Sequence, residues 1–523
     1  MTGAGRLLRL ILRRDRIVMP LWVLGIGLLP YVYLSGFDTL FATDQERADY
    51  ARVSAENAGF VALYGPLHGD SVGELVVWRG GFVPVMIGLF ALLTVVRHTR
   101  ADEEAGRTEL IRATVVGRHA QLTAALLGAG LASLVTGLVV AATMIGAGQP
   151  AAGSVALGTV FTLTGWIFAG VGAVAAQLSG SARGARTIAV LTLGVAYVLR
   201  LGGDISALGD GRLEWLSWLS PIGWVHRLFP YGANDWALVA PALILTAVAV
   251  TAAGYLSTRR DLGSGLLAAR LGPAAASPGL RSPLALAWRL HRGLLAGWTA
   301  GFAALGLVFG GVGSSVVQLA EDSAGVNEMF SRIGGSDAVV DAYFATVAGM
   351  CGLIAACYAV QAALRMRDEE QSGHAEAVLS TDVHRFAWAG SHLLFALLGP
   401  AAALFAEGAV AGVVHGDPGP VVGASLAQLP AVWVLAGLAM LLIGAVPKLA
   451  AAAWGAVVAA LLLLLVGPLL EVDQWVLDLS PFTHVPHLPG DAFTAVPLLV
   501  LTLIAAALGG AGLLALRRRD VPA

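Results

Sequence analysis

Twelve long apolar runs divide this 523-residue chain almost end to end, and no other feature limits the choice of fold as much. Their approximate cores are 17–36, 80–96, 121–146, 154–178, 187–201, 237–256, 293–314, 344–364, 389–414, 422–446, 449–470 and 493–515. A helix needs about 20 apolar residues to cross a bilayer, and it can do so because every backbone N–H and C=O is satisfied within the segment. The runs lack the alternation of a membrane barrel, and their glycines and alanines suit close helix packing. Composition agrees, with 57% hydrophobic and 13% charged residues and a mean hydropathy of +0.77. The expectation is an all-α polytopic membrane protein with about twelve transmembrane helices.

Positive charge orients such a chain, because loops that stay in the cytoplasm collect Lys and Arg. With the N-terminus inside, the segments expected to face out hold 7 of the 32 Lys and Arg residues: Arg47, Arg52, Arg79, Arg200, Arg212, Arg227 and Arg332. The other 25 face in. An even number of spans places both termini in the cytoplasm, in keeping with Arg517, Arg518 and Arg519. The basic start resembles a secretory signal, but its apolar run is long and lacks a small-x-small exit, so an uncleaved first span is expected. Cys351 and Cys357 fall in one span, too far apart along a helix to bridge.

The chain also repeats itself. "LRRDRIVMPLWVLGI" (12–26) lies over "WRLHRGLLAGWTAGF" (288–302), pairing Arg13 with Arg289, Arg16 with Arg292, Trp22 with Trp298 and Gly25 with Gly301. A charged stretch, "TRADEEAGRTELIRATVVGR" (99–118), lies without gaps over "MRDEEQSGHAEAVLSTDVHR" (366–385). This pairs Arg100 with Arg367, Glu103 with Glu370, Gly106 with Gly373, Glu109 with Glu376, Thr114 with Thr381 and Arg118 with Arg385. "WLSWLSP" (215–221) lies over "WVLDLSP" (475–481). Six spans per half predict two parallel repeats related by an axis along the membrane normal. The expected organisation is a first half at 1–256, a cytoplasmic linker with a second amphipathic helix at 257–292, and a second half at 293–523.

The charged boxes fall in the cytoplasmic segments 97–120 and 365–388. As short helices they allow Glu103 to pair with Arg107 and Arg365 with Glu369, and the glycine ends or bends each helix. A run of charge is ordinarily a solvated loop. Keeping the Arg-x-x-Glu-x-x-Gly-x-x-Glu spacing in two diverged halves favours a protein-docking element. The single lysine, Lys448 in "VPKLA", excludes a phosphate-cradling G-x-x-x-x-G-K-[ST] loop. The inner segments are too short to hide a nucleotide-binding domain, so the chain is no ATPase by itself.

The twelve spans, the "DEEAGRTEL" and "EEQSGHAE" boxes, the "LSP" motifs and the missing ATPase resemble the transmembrane subunits of the ABC-2 superfamily. More narrowly, the chain is similar to the duplicated permeases of actinobacterial antibiotic exporters of the tetronasin-resistance or polyketide-exporter type. The second box departs from the first at Gln371, Ser372 and His374. The resemblance implies a multidrug-efflux permease of the plasma membrane, with two copies of a separate cytoplasmic ATPase that bind ATP and Mg. It implies coupling contacts from Asp102, Glu103, Glu104, Gly106, Arg107 and Glu109 to one ATPase, and from Glu369, Glu370, Gly373 and Glu376 to the other. It also implies an amphipathic helix before each half. Arg6, Arg9, Arg13 and Arg16 share one helical face there, with Leu7, Leu8 and Ile11 largely opposite.

The substrate path is less legible. Glu407 is the one acid placed well inside a span, a default candidate for a cation contact or a proton carrier. Tyr197, Trp166, Trp433 and Trp454 could line an apolar pocket or serve as packing residues. The outer segments 37–79, 202–236, 315–343 and 471–492 are expected to hold short helices lying on the membrane surface. His484 and His487 form an H-x-x-H without further ligands nearby, so no metal is expected. Two rivals to an ATP-driven exporter stay open: a proton-coupled drug antiporter, which would want several buried acids, and a membrane scaffold, sensor or enzyme.

Overall fold

In a computed structural model, the described residues are 2–40, 43–56, 58–208, 211–267, 275, 277, 279–322, 336–466 and 473–519. Among them 12 helices are long and apolar enough to cross a membrane. In the first half these are Val18–Phe37, Val83–Glu104, Ala120–Gly146, Ala151–Leu178, Ala182–Leu208 and Trp236–Thr258, numbered here spans 1 to 6. Spans 7 to 12 are Pro283–Gly313, Val340–Gln371, Arg385–His415, Pro418–Ala445, Pro447–Leu464 and Ala495–Arg518. The chain divides into two compact units, Met1–Gly272 and Pro273–Ala523.

Small residues set the spacing within each unit. A Cβ on Gly137 of span 3 would stand 2.3 Å from the Gly158 carbonyl of span 4, and a Cβ on Gly158 would stand 2.3 Å from the Gly137 carbonyl. A Cβ on Gly444 of span 10 would stand 2.0 Å from the Gly512 carbonyl of span 12. Lipid tails give helices no hydrophobic reason to associate, so backbone-to-backbone packing of this kind supplies the contact.

The units repeat the same inter-helix ties. Trp166 of span 4 donates its indole N–H to the Gly130 carbonyl of span 3 at 3.0 Å. Trp433 of span 10, 267 residues on, donates to the Leu397 carbonyl of span 9, also at 3.0 Å. Trp22 stacks on Phe90 with ring centres 5.4 Å apart, whereas its counterpart Trp298 meets Tyr358 edge-on at 5.9 Å. The "LSP" motif is a helix start in both units. Ser220 Oγ accepts from the Ile222 and Gly223 N–H groups, and Ser480 Oγ accepts from Phe482 N–H. Each is followed by a proline at the first helical position, where no backbone N–H is needed.

Four expectations are corrected. Span 5 runs on to Leu208, so Arg200, itself fully buried, lies inside a helix rather than on an outer segment. That longer helix also carries Asp204, so Glu407 is not the sole acid within a span. The second amphipathic helix is not separate, because one helix runs unbroken over Pro283–Asp322 and includes Trp288 to Arg292. Its counterpart in the first unit is a distinct helix, Ala4–Arg14. Finally, the outer helices Ala58–Tyr64, Val72–Arg79 and Pro221–His226 do not lie on a surface. Val61, Leu75, Val76, Ile222 and Val225 are each no more than 1% exposed. The alternation that would mark a surface helix is missing from these short apolar pieces, and packing beneath the span ends hides them. Arg332 and the rest of 323–335 lie outside the described residues.

Candidate functional site

The charged box is not a free-standing helix. The helix of span 2 continues through a wide π-helical turn at Arg97–Ala101 into Asp102–Glu104. The chain then reverses at Gly106, whose φ of +71° is left-handed, and forms a short helix, Arg107–Arg112. In the second unit the helix of span 8 runs straight to Gln371, reverses at Gly373 (φ +74°) and forms His374–Leu379. Left-handed backbone crowds a Cβ against the chain and costs a residue other than glycine about 1–2 kcal/mol, which favours glycine here in both copies.

The acids of the helical arm point into the protein. Glu103 accepts from Arg260 through both oxygens, at 2.6 and 2.8 Å, and from the Gly263 N–H at 2.7 Å. Arg100 pairs with it from three residues back, at 3.2 Å. Glu370 repeats the arrangement, with Arg367 at 3.0 Å from three residues back and Arg519 at 2.5 Å. Arg260 and Arg519 both follow the last span of their unit. Arg118 donates to the Ser257 and Thr258 carbonyls at the end of span 6, and Arg385 donates to the Arg517 and Arg519 carbonyls at the end of span 12. Each box is thus clasped to the end of its own unit's last span.

The remaining paired positions follow. Asp102 takes Arg107 at 2.9 Å and Arg14 at 2.9 Å, and the equivalent Glu369 takes His374 at 3.6 Å and Arg365. Thr114 and Thr381 each return their hydroxyl to a carbonyl three residues back, at 2.6 Å in both copies. Glu104 accepts from the Ala182 N–H at the start of span 5. Glu109 and Glu376 differ from all of these. Both are exposed, and neither side chain has a hydrogen-bond or ion-pair partner among the described residues.

Two expectations change accordingly. Glu103 pairs with Arg260 and not with Arg107, because Gly106 swings Arg107 back over Asp102. Asp102, Glu103, Glu369 and Glu370 are buried and paired internally. They position the box and offer no free carboxylate to a partner. The expected Arg365–Glu369 pair is present. In the N-terminal helix, Leu7, Leu8 and Ile11 pack on Ala124 and Ala125 while Arg6, Arg9, Arg13 and Arg16 stay exposed.

The expected path residues do not converge. Trp166 and Trp433 tie neighbouring helices, Tyr197 donates to the Leu63 carbonyl at 3.0 Å, and Trp454 is 38% exposed. Glu407 is fully buried, with Ser425 Oγ donating to Oε2 at 2.7 Å and Oε1 unpartnered. His484 faces the Asp478 carbonyl, and His487 stands 3.5 Å from Asp491. A cavity of about 400 Å³ opens instead in the first unit, beneath the outer ends of its spans, with Trp78, Phe161, Phe229, Asp204 and His226 in its wall.

Comparison with known proteins places these features. The family described as "Multidrug efflux system permease Rv1217c, C-terminal domain" matches residues 5–259 and 280–517. The multidrug efflux system permease protein Rv1217c of Mycobacterium tuberculosis (strain ATCC 25618 / H37Rv) is 42% identical over 99% of this chain and 95% of its own length. The chain belongs to the Rv1217c permease family. It is a multi-pass membrane protein of the plasma membrane and a permease component of drug efflux.

Sequence reasoning about this Rv1217c-family chain missed the partners that hold the boxes. Arg260 and Arg519 stand far from the boxes in sequence, within basic ends that the positive-inside rule already explains. Their shared place just after the last span of each half was the available signal. Asp204 and His226 carried none, since each is a lone residue in an apolar stretch.

Proposed function

We propose that the chain is the transmembrane subunit of an ABC-2-type exporter of the tetronasin-resistance and polyketide-exporter kind. It would move hydrophobic or amphipathic drugs outward with ATP hydrolysed by two copies of a separate cytoplasmic ATPase, which hold the ATP and Mg. The observation that carries this reading is the pair Glu109 and Glu376. Every other matched charged, glycine or threonine position of the box from Arg100 to Arg118, and from Arg367 to Arg385, is explained by folding: ion pair, left-handed turn, hydroxyl return or helix-end contact. Folding gives no reason to repeat an exposed, unpaired acid at the tip. A docking surface does, with Arg107 and Leu110 beside Glu109 and with His374 beside Glu376.

In this mechanism ATP binding closes the ATPase pair and displaces both tips. The clasps Arg260–Glu103 and Arg519–Glu370 carry that displacement to the last span of each half, and the access of the substrate path changes side. The test is co-purification of the ATPase with Glu109→Arg and Glu376→Arg chains from the native membrane. Loss of the soluble Walker-loop protein from the double variant, with the permease still monodisperse, is expected. Retention of that partner and normal efflux in the double variant would overturn the coupling assignment.

A proton-coupled antiporter draws on a different observation, the buried Glu407 with one unpartnered oxygen. On that reading Glu407→Gln abolishes efflux driven by an imposed proton gradient in vesicles without nucleotide.

A further inference from the structure

The cavity in the first unit contains buried acceptors that no described residue satisfies. Asp204 is 5% exposed and lines the cavity, and its Oδ2 has no hydrogen-bond partner among the described residues. Its nearest charge, Arg200 Nη1, is 3.6 Å away, an ion pair without a hydrogen bond. His226 also lines the cavity and its Nε2 is likewise buried and unpartnered. Burial, together with the charges of Arg200 and Arg227, pushes the His226 pKa down to about 3, while the Gly81 backbone opposes that shift as a hydrogen-bond acceptor. The ring is therefore neutral at ordinary pH. A neutral imidazole carries one N–H and one lone pair, so Nε2 can accept from a ligand donor in one of its two tautomers.

Buried acceptors without donors are costly, and proteins rarely keep them unless a ligand or water completes the set. The rest of the wall says what kind of ligand. Trp78, Phe161 and Phe229 supply an apolar body, and the volume suits a drug-sized molecule. The nearby acids Glu74 and Asp204 are balanced by Arg200 and Arg227, so a fully charged ligand meets no net attraction. We propose that this cavity binds an uncharged amphipathic molecule that presents a hydroxyl or amide N–H to Asp204 and His226. The site does not depend on the energy source proposed above, because it lies wholly within the first unit and needs neither ATPase nor nucleotide.

A matched pair of probes tests it: N-(6-hydroxyhexyl)dansylamide and its methyl ether, identical except for the terminal donor. The full-length chain in phosphatidylcholine nanodiscs is titrated with each, without ATPase or nucleotide, and empty discs are subtracted. The alcohol is expected to bind about five- to tenfold more tightly than the ether, the range of one buried hydrogen bond. His226→Phe should shrink that preference to about twofold or less, and Ala233→Trp, at the exposed rim of the cavity, should weaken both probes. A lipid alcohol would offer the same chemistry as a small molecule. Adding dioleoylglycerol to the discs separates the sources: displacement of the probe assigns the site to lipid, and undiminished binding assigns it to a small molecule. Equal affinity for alcohol and ether, or affinities untouched by Ala233→Trp, would overturn the proposal. Because Ala233 is exposed, its variant reads the site even if His226→Phe fails to fold.

Discussion

Side by side, the two boxes share a buried grip and differ at the tip. Glu103 and Glu370 are each held by an arginine three residues back and by another from beyond the last span, Arg260 and Arg519. At the tip, Glu104, Arg107 and Leu110 of the first copy stand where the second has Gln371, His374 and Ala377. The buried parts must satisfy the same electrostatics in each half, because a carboxylate removed from water without partners is very costly. The exposed parts answer only to what they touch. On the proposed docking role of the tips, diverged tips on equal clasps would give two contacts of unequal strength on a common frame.

The largest effect tests the shared part. Glu103→Ala leaves Arg100 and Arg260, and Glu370→Ala leaves Arg367 and Arg519, without their carboxylate. With these side chains no more than 17% exposed, each change should destabilise by about 3–5 kcal/mol, read as earlier thermal loss of monodispersity. Similar losses in both halves support equal clasps, and a near-neutral result in either breaks the comparison. Next come Gly106→Ala and Gly373→Ala. A Cβ meets nothing within 4 Å at either site, so the cost is the left-handed backbone alone, about 1–2 kcal/mol. Unequal losses there would show that one turn carries a constraint beyond its backbone conformation.

Acid should remove one contribution that is particular to His226. His226 has its folded pKa lowered from 6.5 to about 3, so the unfolded chain takes up the proton first. The stability it contributes is complete above pH 6.5 and is lost as pH falls from there toward 3. Between pH 6.5 and 5.5 the loss is about 1 kcal/mol, absent in His226→Phe. Aligned on the "LSP" motifs, the second half has Pro486 at this place, so this contribution has no counterpart there. A pH profile unchanged by His226→Phe would refute that assignment. The smallest effect on stability, within about 0.5 kcal/mol, is expected for Glu109→Arg and Glu376→Arg taken singly. Measured ATPase retention should nevertheless fall further for one than for the other, and identical retention would remove the inferred asymmetry of the tips.

Much of the fold was legible because the bilayer enforces it. Span positions follow from the length a helix needs, and the repeat showed in residues that later prove to be hydrogen-bonded alike, Thr114 with Thr381 and Arg118 with Arg385. The boundaries were less legible at Arg200, where a charge inside a helix reads as a loop until its acceptors, the Ala62 and Leu63 carbonyls, are known. Within the boxes, spacing identified which residues matter and not why. The repeat of Glu103 and Glu370 looked like a partner's footprint, yet it records a distant arginine. Exposure alone separates Glu109 and Glu376 from them, and exposure is not written in the sequence.

Neither clasp borrows a residue from the other half: Arg260 comes from the chain that carries Glu103, and Arg519 from the chain that carries Glu370. A nick at the boundary of the two units, between Gly272 and Pro273, therefore severs no part of either grip. Two polypeptides cut there carry complete transmission parts, as two separately encoded half-transporters would. A single-chain ancestor of half this length would already have had the whole linkage, and fusion would have had nothing to add to it but the freedom of each tip to specialise.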